Sequence, residues 1–434
     1  MRGSTFEVSS FSTKPAKVKG SENINRSEES DDDDQGDILR WKNSLKRDFT
    51  INSLYFNPFN NRVYDYVNGV MDLRKNKVIV SEISGRFNHP CLLSLFLLPN
   101  SLNHQSGVHS DSCPCFLQGG SWILRGLRVA ARLGFEFSSE TSTAIRDLSP
   151  SIINLGQQRL MLEMRYMLSH GAAESSIRLL RKYGLLDLLL PFQAAYLSDQ
   201  MKGRSSDRNL MLMKLLANLD KFFSADRPCH SSLWLALLAF HSALVDSPQD
   251  AQVIKGFAAL MHFGTWDRAI ELLKQDIGAP ATFVPETLGP SGEKLDDNLM
   301  KQISQLASLV NSSVGTLTSL DTLQQSLARY SEASQFSGVV FVSAKERSRV
   351  LGIFRGLDSD LTSYDETRGM HGIDYKLLDD GHTGEVRFVL GRVILDTMSE
   401  EESPCASTAA AADALARPAA DPADKDHSPL SLLF

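Results

Sequence analysis

The sequence predicts an α+β fold that is predominantly helical, with a short β-containing region followed by a long series of helices. A β-rich run over residues 50–66 is interrupted by Asn57–Asn61, and Asn-Pro and Asn-Asn steps between two such runs are typical of a hairpin. From Ser121 onward, hydrophobic residues recur at the helical period instead. The chain has 434 residues, of which 42% are hydrophobic and 22% charged, as in a globular protein with a sizeable core.

The region before residue 84 is predicted to be mixed α/β. Phe6–Phe11 opens with alternating apolar and polar residues, which favours a half-buried strand. The first twenty residues are also basic and rich in Ser and Thr, which would suit an organelle transit peptide. Residues 21–37 are acidic without periodicity and predict a flexible loop. A short helix around Trp41–Leu45 then precedes the hairpin, with strands expected within Thr50–Phe56 and Arg62–Tyr66.

The second part of the chain is predicted to be a series of short helices. Gly134 ends the helix that begins at Ser121, and Ser138 or Ser139 can cap the next one. Gly184 suits the position that follows a helix C-terminus. The later helices are expected over Thr141–Leu148, Gln157–Ser169, Ala172–Tyr183, Asn209–Phe223, Ser231–Leu244, Val253–His262, Asp297–Val310 and Thr316–Tyr330.

Two stretches lack helical periodicity. Residues 278–293 are rich in Pro and Gly and predict a linker, and the tail from Glu400 is low-complexity sequence that we predict to be disordered. His230 and His241 lie among apolar residues of one predicted helix. A buried or capping role is the favoured interpretation for these histidines, and a metal-ligand role is the alternative.

Local charge differs from the charge of the whole chain. The formal net charge of -7 argues against a histone-like polycation. Ser121–Leu190, however, carries nine basic and six acidic residues, and eight of the nine are arginines. The planar arginine side chain suits phosphates and stacks on bases, so this segment is a candidate RNA-contacting surface. Arginines paired across helices for structural reasons remain the alternative.

The cysteine content argues against a disulfide-stabilised protein, and the hydropathy argues against a transmembrane protein. The five cysteines are odd in number and scattered, which argues against a disulfide framework. The longest apolar run, Cys91–Pro99, is about half of the ~20 residues that a transmembrane helix needs. No membrane partner is therefore predicted.

The segment Lys46–Asn52 places a cation, an acceptor and an amide close together. Arg47, Asp48 and Asn52 could in this way contact phosphates, a sugar hydroxyl and a base edge. Taken alone, a helix N-terminus with a surface ion pair is the simpler interpretation. The significance of the segment therefore depends on the motifs that accompany it.

Those motifs follow in order as Val63–Gly69 (VYDYVNG), Asp72–Arg74 (DLR) and Ile123–Phe135 (ILRGLRVAARLGF). Together with Arg47–Asn52 (RDFTIN), they resemble the class II tRNA nucleotidyltransferase and bacterial-type poly(A) polymerase family. The resemblance covers residues 1–13, 38 to about 83 and 121 to about 398. It is extended by Gln158–Met164 and Leu179–Leu190, which resemble the helical neck and body, and by Asp226–Trp234, which resembles the plant polynucleotide adenylyltransferase family proteins.

The resemblance implies an α/β nucleotidyltransferase head followed by an all-helical neck and body that hold an RNA 3′ end. This family adds AMP, or CMP and AMP, to an RNA 3′ hydroxyl, with ATP as a substrate and two divalent metal ions, taken as Mg²⁺. The implied partners are RNA and a nucleoside triphosphate, and the oligomeric state stays open. The implied site residues are Glu7 for catalysis, Arg47, Asp48, Asn52, Arg125 and Arg128 for the nucleotide, and Arg132, Arg159 and Arg165 for RNA.

The plant resemblance also suggests a chloroplast or mitochondrial location, although no intact targeting peptide is visible.

The resemblance predicts that the chain is divided into five segments. The segments are a partial nucleotidyltransferase head (1–83), an atypical disordered insert (84–120), a helical RNA-binding neck domain (121–190), a helical body or tail domain (191–398) and a disordered tail (399–434).

Two departures from the family pattern concern catalysis. The family's Gly-Gly turn and Asp-x-Asp metal pair precede the strand that contains Glu7, and neither is found before Glu7 here. The family's base-selecting Glu-Asp-x-x-Arg element is replaced by Gln118–Trp122. We therefore expect impaired nucleotide transfer. A non-catalytic RNA-binding protein or a truncated gene model is the alternative, and CCA addition is the alternative within the enzyme class.

Residues 84–120 match neither flank and look like an intron translated as coding sequence. Within them, His104, His109, Cys113 and Cys115 imitate a zinc site. The Cys-x-Cys spacing is shorter than in structural zinc sites. We therefore predict no zinc there.

Overall fold

The computed structural model describes residues 31–79 except 46, 120–275 except 203 and 205, 281–288, 297–330, 339–357, 361, 364–365 and 372–399. These residues form two compact units, the first ending at Asn154 and the second beginning at Leu155. The five predicted segments stay predictions. Within the described part of the chain, no helix combines the length and the hydropathy of a transmembrane span.

The first unit mixes short helices with two small sheets. Its elements are α1 (Asp31–Ser44), a 3-10 turn (Thr50–Ser53), β1 (Tyr55–Asn57), β2 (Arg62–Tyr64), α2 (Gly69–Arg74), β3 (Lys77–Val78), α3 (Ser121–Leu133), β4 (Glu136–Phe137), α4 (Ser139–Leu148) and a second 3-10 turn (Ser149–Asn154). β1 and β2 form the predicted antiparallel hairpin, in which Phe56 lies opposite Val63. β3 pairs in parallel with β4, so this region is α/β as predicted.

The second unit is helical in its described residues except for one short pair of parallel strands. Its helices are α5 (Gln157–Leu168), α6 (Ala173–Lys182), α7 (Leu186–Leu189), α8 (Pro191–Gln200), α9 (Met211–Asp220), α10 (Ser231–Asp246), α11 (Ala251–Phe263), α12 (Trp266–Gln275), α13 (Asp297–Ser313), α14 (Gly315–Thr318), α15 (Leu320–Leu327), α16 (Ala344–Phe354), α17 (Tyr375–Asp379) and α18 (Thr383–Ser399). The strands are β5 (Gln249–Asp250) and β6 (Thr287–Leu288). The prediction of a predominantly helical α+β chain is confirmed.

Several helix ends lie where the sequence places them. Gly134 follows α3 with a φ of 65°, and the Ser138 hydroxyl accepts from the Thr141 amide at 3.2 Å to cap α4. The Nδ1 atom of His230 accepts from the Ser232 amide at 3.1 Å at the start of α10. The predicted capping role of this histidine is therefore confirmed.

The acidic segment is helical where the structure describes it, so the predicted loop over residues 21–37 is wrong for its second part. Arg40 on α1 lies 4.3 Å from the ring centroid of Tyr64 and donates from Nε to the Tyr66 hydroxyl at 3.3 Å. Asp37 accepts from Tyr66 as well. These contacts bind the helix to the hairpin region, which the charge composition alone does not indicate.

Two predictions for the second unit are wrong for physical reasons. The helix expected over Thr316–Tyr330 is divided at Ser319, which has extended φ and ψ angles. Across this turn Gly315 packs closely on Thr322, with only 2.9 Å between the Thr322 Cγ2 and an added Cβ. The predicted linker is not entirely irregular, since β6 within it pairs with β5.

The core of the second unit is built around α10. Residues Ser231–Val245 of this helix are all buried, including His241, as predicted. α11 and α18 come together at Gly391, where a Cβ would lie 2.5 Å from the carbonyl oxygen of Ala258. Buried apolar side chains on several helices thus supply the main stabilisation of this unit.

Candidate nucleotide-binding site

The turn that contains Asp48 is anchored by a fully buried phenylalanine. Phe49 is 0% exposed, and its ring centroid lies 6.5 Å from that of Trp122. On α3, a Cβ added at Gly126 would lie 2.6 Å from Cζ of Phe49, so glycine lets the ring approach the helix closely. This packing fixes the backbone beside Asp48 relative to α3.

Hydrogen bonds hold the 3-10 turn that follows. The Thr50 hydroxyl donates to Oδ2 of the buried Asp72 at 2.6 Å, and the Thr50 amide donates to the Ile79 carbonyl at 3.1 Å. Gly69 packs on the same turn, since a Cβ there would come within 2.3 Å of the Thr50 carbonyl oxygen. The sequence motifs assigned no role to Asp72, and the structure gives it this positioning contact.

Asp48 joins the turn to α3. Its Oδ2 accepts from Nη1 of Arg125 at 3.0 Å, and its Oδ1 accepts from the Phe49 amide at 3.0 Å and from Nδ2 of Asn52 at 3.1 Å. The Asp48 side chain is 7% exposed, whereas the Arg125 side chain is 31% exposed. A buried carboxylate therefore orients an arginine and an amide that are both partly accessible to solvent.

The structure brings together three of the five predicted nucleotide-binding residues, namely Asp48, Asn52 and Arg125. Arg47 directly precedes Asp48 and is exposed, and Arg128 follows Arg125 on α3 and is half-buried. Arg47 and Arg128 both interact with other parts of the chain. Their roles at a nucleotide stay predictions.

The three predicted RNA-binding arginines fall in both units. Arg132 lies on α3 of the first unit and is half-buried, whereas the other two lie on α5 of the second. Nη2 of Arg159 lies 2.6 Å from Oε1 of Glu163, and Nη2 of Arg165 lies 2.9 Å from Oδ1 of Asp379. The side chains of Arg159 and Arg165 are nevertheless 39% and 40% exposed. Both arginines are thus paired within the chain and remain accessible.

Two family models match segments that contain some of these residues, whereas Arg125, Arg128 and Arg132 lie between the two matched segments. One, described as "Poly A polymerase head domain", matches residues 2–79. The other, described as "Probable RNA and SrmB- binding site of polymerase A", matches residues 134–197. Both matched segments are therefore similar to the class II tRNA nucleotidyltransferase/poly(A) polymerase family. The head model of this family includes the Asp48 turn and the hairpin, and the RNA-binding model includes α5.

Curated members of the family carry two different names. Poly(A) polymerase I of Haemophilus influenzae is 28% identical over 42% of this chain and 33% of its own length. Poly(A) polymerase I of Escherichia coli O157:H7 is 25% identical over 49% and 39%, and the CCA-adding enzyme of Staphylococcus epidermidis is 23% identical over 49% and 39%. The chain therefore spans about two fifths or less of the length of these relatives. The resemblance to plant family members stays a prediction.

Two-metal chemistry of the kind expected in this family needs carboxylates that converge on the ions. Among the described residues, no group of three or more His, Cys, Asp or Glu side chains could hold a metal ion. Asp48 is not a free ligand, because both of its oxygens accept hydrogen bonds within the unit. The described residues therefore do not fit a Mg²⁺ site. Glu7, the predicted catalytic carboxylate, lies outside them.

The described part of the segment that replaces the family's base-selecting element is packed into the first unit. Trp122 is 5% exposed and contacts Phe49. At Gly120, an added Cβ would lie 2.7 Å from Cγ1 of Ile152. Neither Gly120 nor Trp122 carries a charged side chain.

Sequence reasoning missed a buried polar cluster in the second unit. Glu286 lies in the predicted linker, yet it is 0% exposed. Its Oε1 lies 3.1 Å from Nε2 of His241 and accepts from the Tyr196 hydroxyl. Burial alone would raise the pKa of the Glu286 carboxyl, but its interactions with His241 and Tyr196 lower that pKa below its usual value. The sequence around Glu286 is irregular and rich in Pro and Gly, and this pattern does not indicate a buried carboxylate.

Proposed function

We propose that the chain is an RNA 3′-end nucleotidyltransferase of the poly(A) polymerase type, which uses ATP and an RNA 3′ hydroxyl. The observation that carries this proposal is the cluster of Asp48, Asn52 and Arg125, of which Asp48 and Asn52 lie within the segment matched by the head-domain model. The match of residues 134–197 to an RNA-binding model supports RNA as the second substrate.

Arg125 is the proposed contact to the triphosphate. A guanidinium group has five N–H donors, and Asp48 accepts from one of its nitrogens, so the exposed part of Arg125 can donate to phosphate oxygens. Asn52 uses its amide nitrogen for Asp48, and its carbonyl oxygen can accept from a base amino group or a ribose hydroxyl. Asp48 is a positioning residue, because its oxygens are used in holding these two groups. Arg47 and Arg128 are proposed as further phosphate contacts.

Nucleotide binding by the full chain tests these roles. Arg125→Gln removes a charged donor, and we expect ATP affinity to fall about 10-fold or more, because hydrogen bonds to charged groups contribute roughly 1.5–3 kcal/mol. Asp48→Asn is expected to weaken ATP binding less, since Arg125 would remain but lose its orientation. Calorimetric titration with ATP measures both effects.

The matched control for these variants is Arg392→Gln. Arg392 pairs with Asp396 at 2.9 Å on α18 and is 52% exposed, so its loss is expected to leave ATP affinity unchanged. Equal ATP affinity in the parent protein and in Arg125→Gln, with both folded, would contradict the proposed site.

The product formed on RNA, rather than nucleotide affinity, separates poly(A) synthesis from CCA addition. Because Gly120 and Trp122 present no charged group to a base, we expect ATP and CTP to differ in affinity by less than about 10-fold, or ~1.4 kcal/mol. Competition between the two nucleotides measures this ratio. Ordered incorporation of CMP and then AMP into an RNA lacking its terminal CCA would favour the CCA-adding alternative, for which a relative of that name is the supporting observation.

A polypeptide of these 434 residues is expected to transfer nucleotide poorly. It carries Glu7 without an Asp-x-Asp pair before it, and one carboxylate does not hold two strongly hydrated Mg²⁺ ions. Incubation with labelled ATP, Mg²⁺ and an RNA primer tests this expectation. Robust primer extension by the polypeptide would show that other residues supply the ligands.

A non-catalytic RNA-binding protein is the second candidate function. It is favoured by the exposed arginines of α5 and by the poor fit of the described residues to a metal site. In filter binding, log affinity should fall with log salt concentration by about 0.7 for each single-strand phosphate contact. A second test adds an upstream segment that carries a Gly-Gly turn and an Asp-x-Asp pair. If the extended protein binds RNA but transfers no nucleotide, the non-catalytic function is preferred.

A further inference from the structure

Helix α5 presents four side chains to solvent on one face. Leu162 and Tyr166 are 37% and 36% exposed, and the side chains of Arg159 and Arg165 are 39% and 40% exposed. At 3.6 residues per turn, these four positions fall within an arc of about 120°, and the buried apolar residues of α5 lie on the opposite side. The four side chains, here called the α5 face, therefore share one surface that is cationic, apolar and aromatic.

Each arginine of the α5 face is held by one carboxylate and keeps donors for another group. Arg159 pairs with Glu163, whose side chain is 2% exposed, and Arg165 donates from Nη2 to Oδ1 of Asp379 at 2.9 Å. Glu163 is the only acidic residue of α5, so the helix turns no exposed carboxylate outward. A guanidinium group has five N–H donors. Both arginines can therefore donate to a further anion without leaving their positions.

We propose that the α5 face binds single-stranded RNA, with a base stacked on the Tyr166 ring and phosphates bound by Arg159 and Arg165. An aromatic ring beside cations is the arrangement by which proteins hold single strands. α5 also lies within residues 134–197, which match an RNA-binding family model. The inference rests on the proposed RNA-binding function. To the two arginines that the family resemblance implies, the structure adds Tyr166 as the stacking residue and Asp379 as a competitor of RNA.

The Tyr166 ring lies where a base can reach it. Its centroid is 5.5 Å from that of His170, with 48° between the two planes, so His170 does not cover a face of the ring as a parallel ring would. Leu162 is one turn away and borders the ring with apolar surface. Arg159 lies about 9 Å from Arg165 along the helix axis, at a rise of 1.5 Å per residue. The two arginines can therefore meet different phosphates of the strand whose base stacks on Tyr166.

Asp379 holds the place that a phosphate would take at Arg165. Its side chain is 45% exposed at the end of α17, and an exposed ion pair of this kind contributes little to stability. RNA binding can therefore exchange the carboxylate for a phosphate at little cost to the fold. The charges of Arg159, Arg165, Glu163 and Asp379 sum to zero, so removal of the Asp379 charge alone leaves the α5 face positive. The carboxylate thus weakens RNA binding rather than supporting it.

Substitutions of Tyr166 in the full chain test the stacked base. With a fluorescent oligo(A) of about 12 nucleotides, Tyr166→Ala should weaken binding about fivefold or more, the loss expected when one base loses its aromatic partner. Tyr166→Leu keeps apolar area without a ring and should weaken binding similarly, whereas Tyr166→Phe should bind like the parent protein. Leu320→Ala on α15, which is 42% exposed, is the apolar control and should leave the affinity unchanged. Circular dichroism checks that each variant is folded.

Charge substitutions test the exchange at Arg165. Arg165→Gln should reduce the slope of log affinity against log salt by about 0.7, the value for one phosphate contact. Asp379→Asn should tighten oligo(A) binding about twofold or more at low salt, because no carboxylate then competes for Arg165 or repels a phosphate. The matched controls are Arg392→Gln and Asp396→Asn, which break an ion pair of the same length, 2.9 Å, on α18. Both controls should leave the affinity and the slope unchanged.

The outcomes distinguish this inference from the proposed function. If the parent protein binds oligo(A) and both Tyr166→Ala and Arg165→Gln bind equally well, the α5 face is overturned while RNA binding stands. Retained affinity in Tyr166→Leu overturns base stacking, and unchanged or weaker binding by Asp379→Asn overturns the exchange. Sedimentation that shows a dimer of the parent protein and a monomer of Tyr166→Ala, with equal RNA affinity, overturns the inference in favour of a second copy as occupant. Failure of the parent protein itself to bind oligo(A) overturns the proposed RNA function, and the α5 face with it.

Discussion

Two carboxylates, one in each unit, are neutralised in different surroundings. In the first unit, Asp48 pairs with Arg125, whose side chain is 31% exposed. In the second, Glu286 and its partners Tyr196 and His241 are all 0% exposed. Water screens a partly exposed pair, whereas a buried charge depends on the few groups that touch it. We infer that the Asp48 cluster is arranged to meet a ligand and that the Glu286 cluster holds its own unit together.

Removal of the buried Glu286 carboxylate is expected to give the largest loss of folding stability. Glu286→Ala leaves Tyr196 and His241 buried without their acceptor, and each buried polar group left without a partner destabilises a protein by about 1–3 kcal/mol. Chemical denaturation monitored by circular dichroism measures this loss. The control Glu286→Gln keeps an acceptor oxygen and should lose less. A loss below about 1 kcal/mol in Glu286→Ala would remove the distinction between the two clusters.

Asp220 on α9 provides a third carboxylate, which accepts from the amides of Ala173 at 2.8 Å and Glu174 at 2.9 Å. Burial raises its pKa from 3.8 to about 6, although these amide bonds oppose the shift. Below pH 3.8 the group is protonated in both states. Between about pH 4 and 6 only the folded state keeps the proton, so the contribution of Asp220 to stability falls as the pH rises through this window.

Asp220→Asn should abolish that pH dependence. The free energy of unfolding of the parent protein, relative to Asp220→Asn, should fall by about 3 kcal/mol between pH 4 and 7, since one pKa unit corresponds to ~1.4 kcal/mol. Urea denaturation at several pH values measures this difference. Glu286, whose pKa is lowered, should show the opposite sign, with stability lost as the pH falls below its usual pKa. Parallel pH profiles for the parent protein and Asp220→Asn would refute the assignment.

A steric change can disturb the Asp48 cluster without altering its charges. Gly126→Ala places a Cβ against Phe49, and overpacking of a buried contact destabilises a protein by about 1–3 kcal/mol. The melting temperature and ATP affinity should fall together, because Phe49 adjoins Asp48. Gly352→Ala on α16 is the control, since nothing lies within 4 Å of the added Cβ. It should be neutral or stabilising by up to about 1 kcal/mol.

The smallest effect on stability is expected at Asp48 itself. Asp48→Asn retains the shape and most hydrogen bonds of the side chain but loses the charge attraction to a partly exposed arginine, which contributes about 1 kcal/mol or less. The same variant should weaken ATP binding, so its stability and its affinity should change unequally. A destabilisation as large as that of Glu286→Ala would show that both clusters serve the fold.

The sequence predicted the hairpin and most helix ends because local chemistry determines them. Asn-rich turns, Gly134 after α3 and Ser138 before α4 act over a few residues, and a single sequence shows them directly. The helical part of the acidic segment was not predictable in this way. Its helix is held by Tyr64 and Tyr66, which follow more than twenty residues later.

The candidate site was predicted in part for a similar reason. Asp48 and Asn52 are four residues apart and belong to one motif, whereas their link to Arg125 spans 77 residues and was expected only through the family resemblance. The local sequence does not indicate that Glu286 contacts His241, because tertiary packing, rather than sequence spacing, determines which buried polar groups meet. The predicted zinc-like residues and Glu7 lie outside the described residues, so those predictions stand untested.

The close contact between Phe49 and Gly126 also bears on how this family can diverge. A ring at one position fits only when the other position has no side chain, so a change at either site favours a compensating change at its partner. Among related sequences, the residue volumes at these two positions should therefore vary inversely. In a library that randomises positions 49 and 126, the folded variants should have residue pairs of roughly constant summed volume. Arg125 should keep its orientation only in those variants.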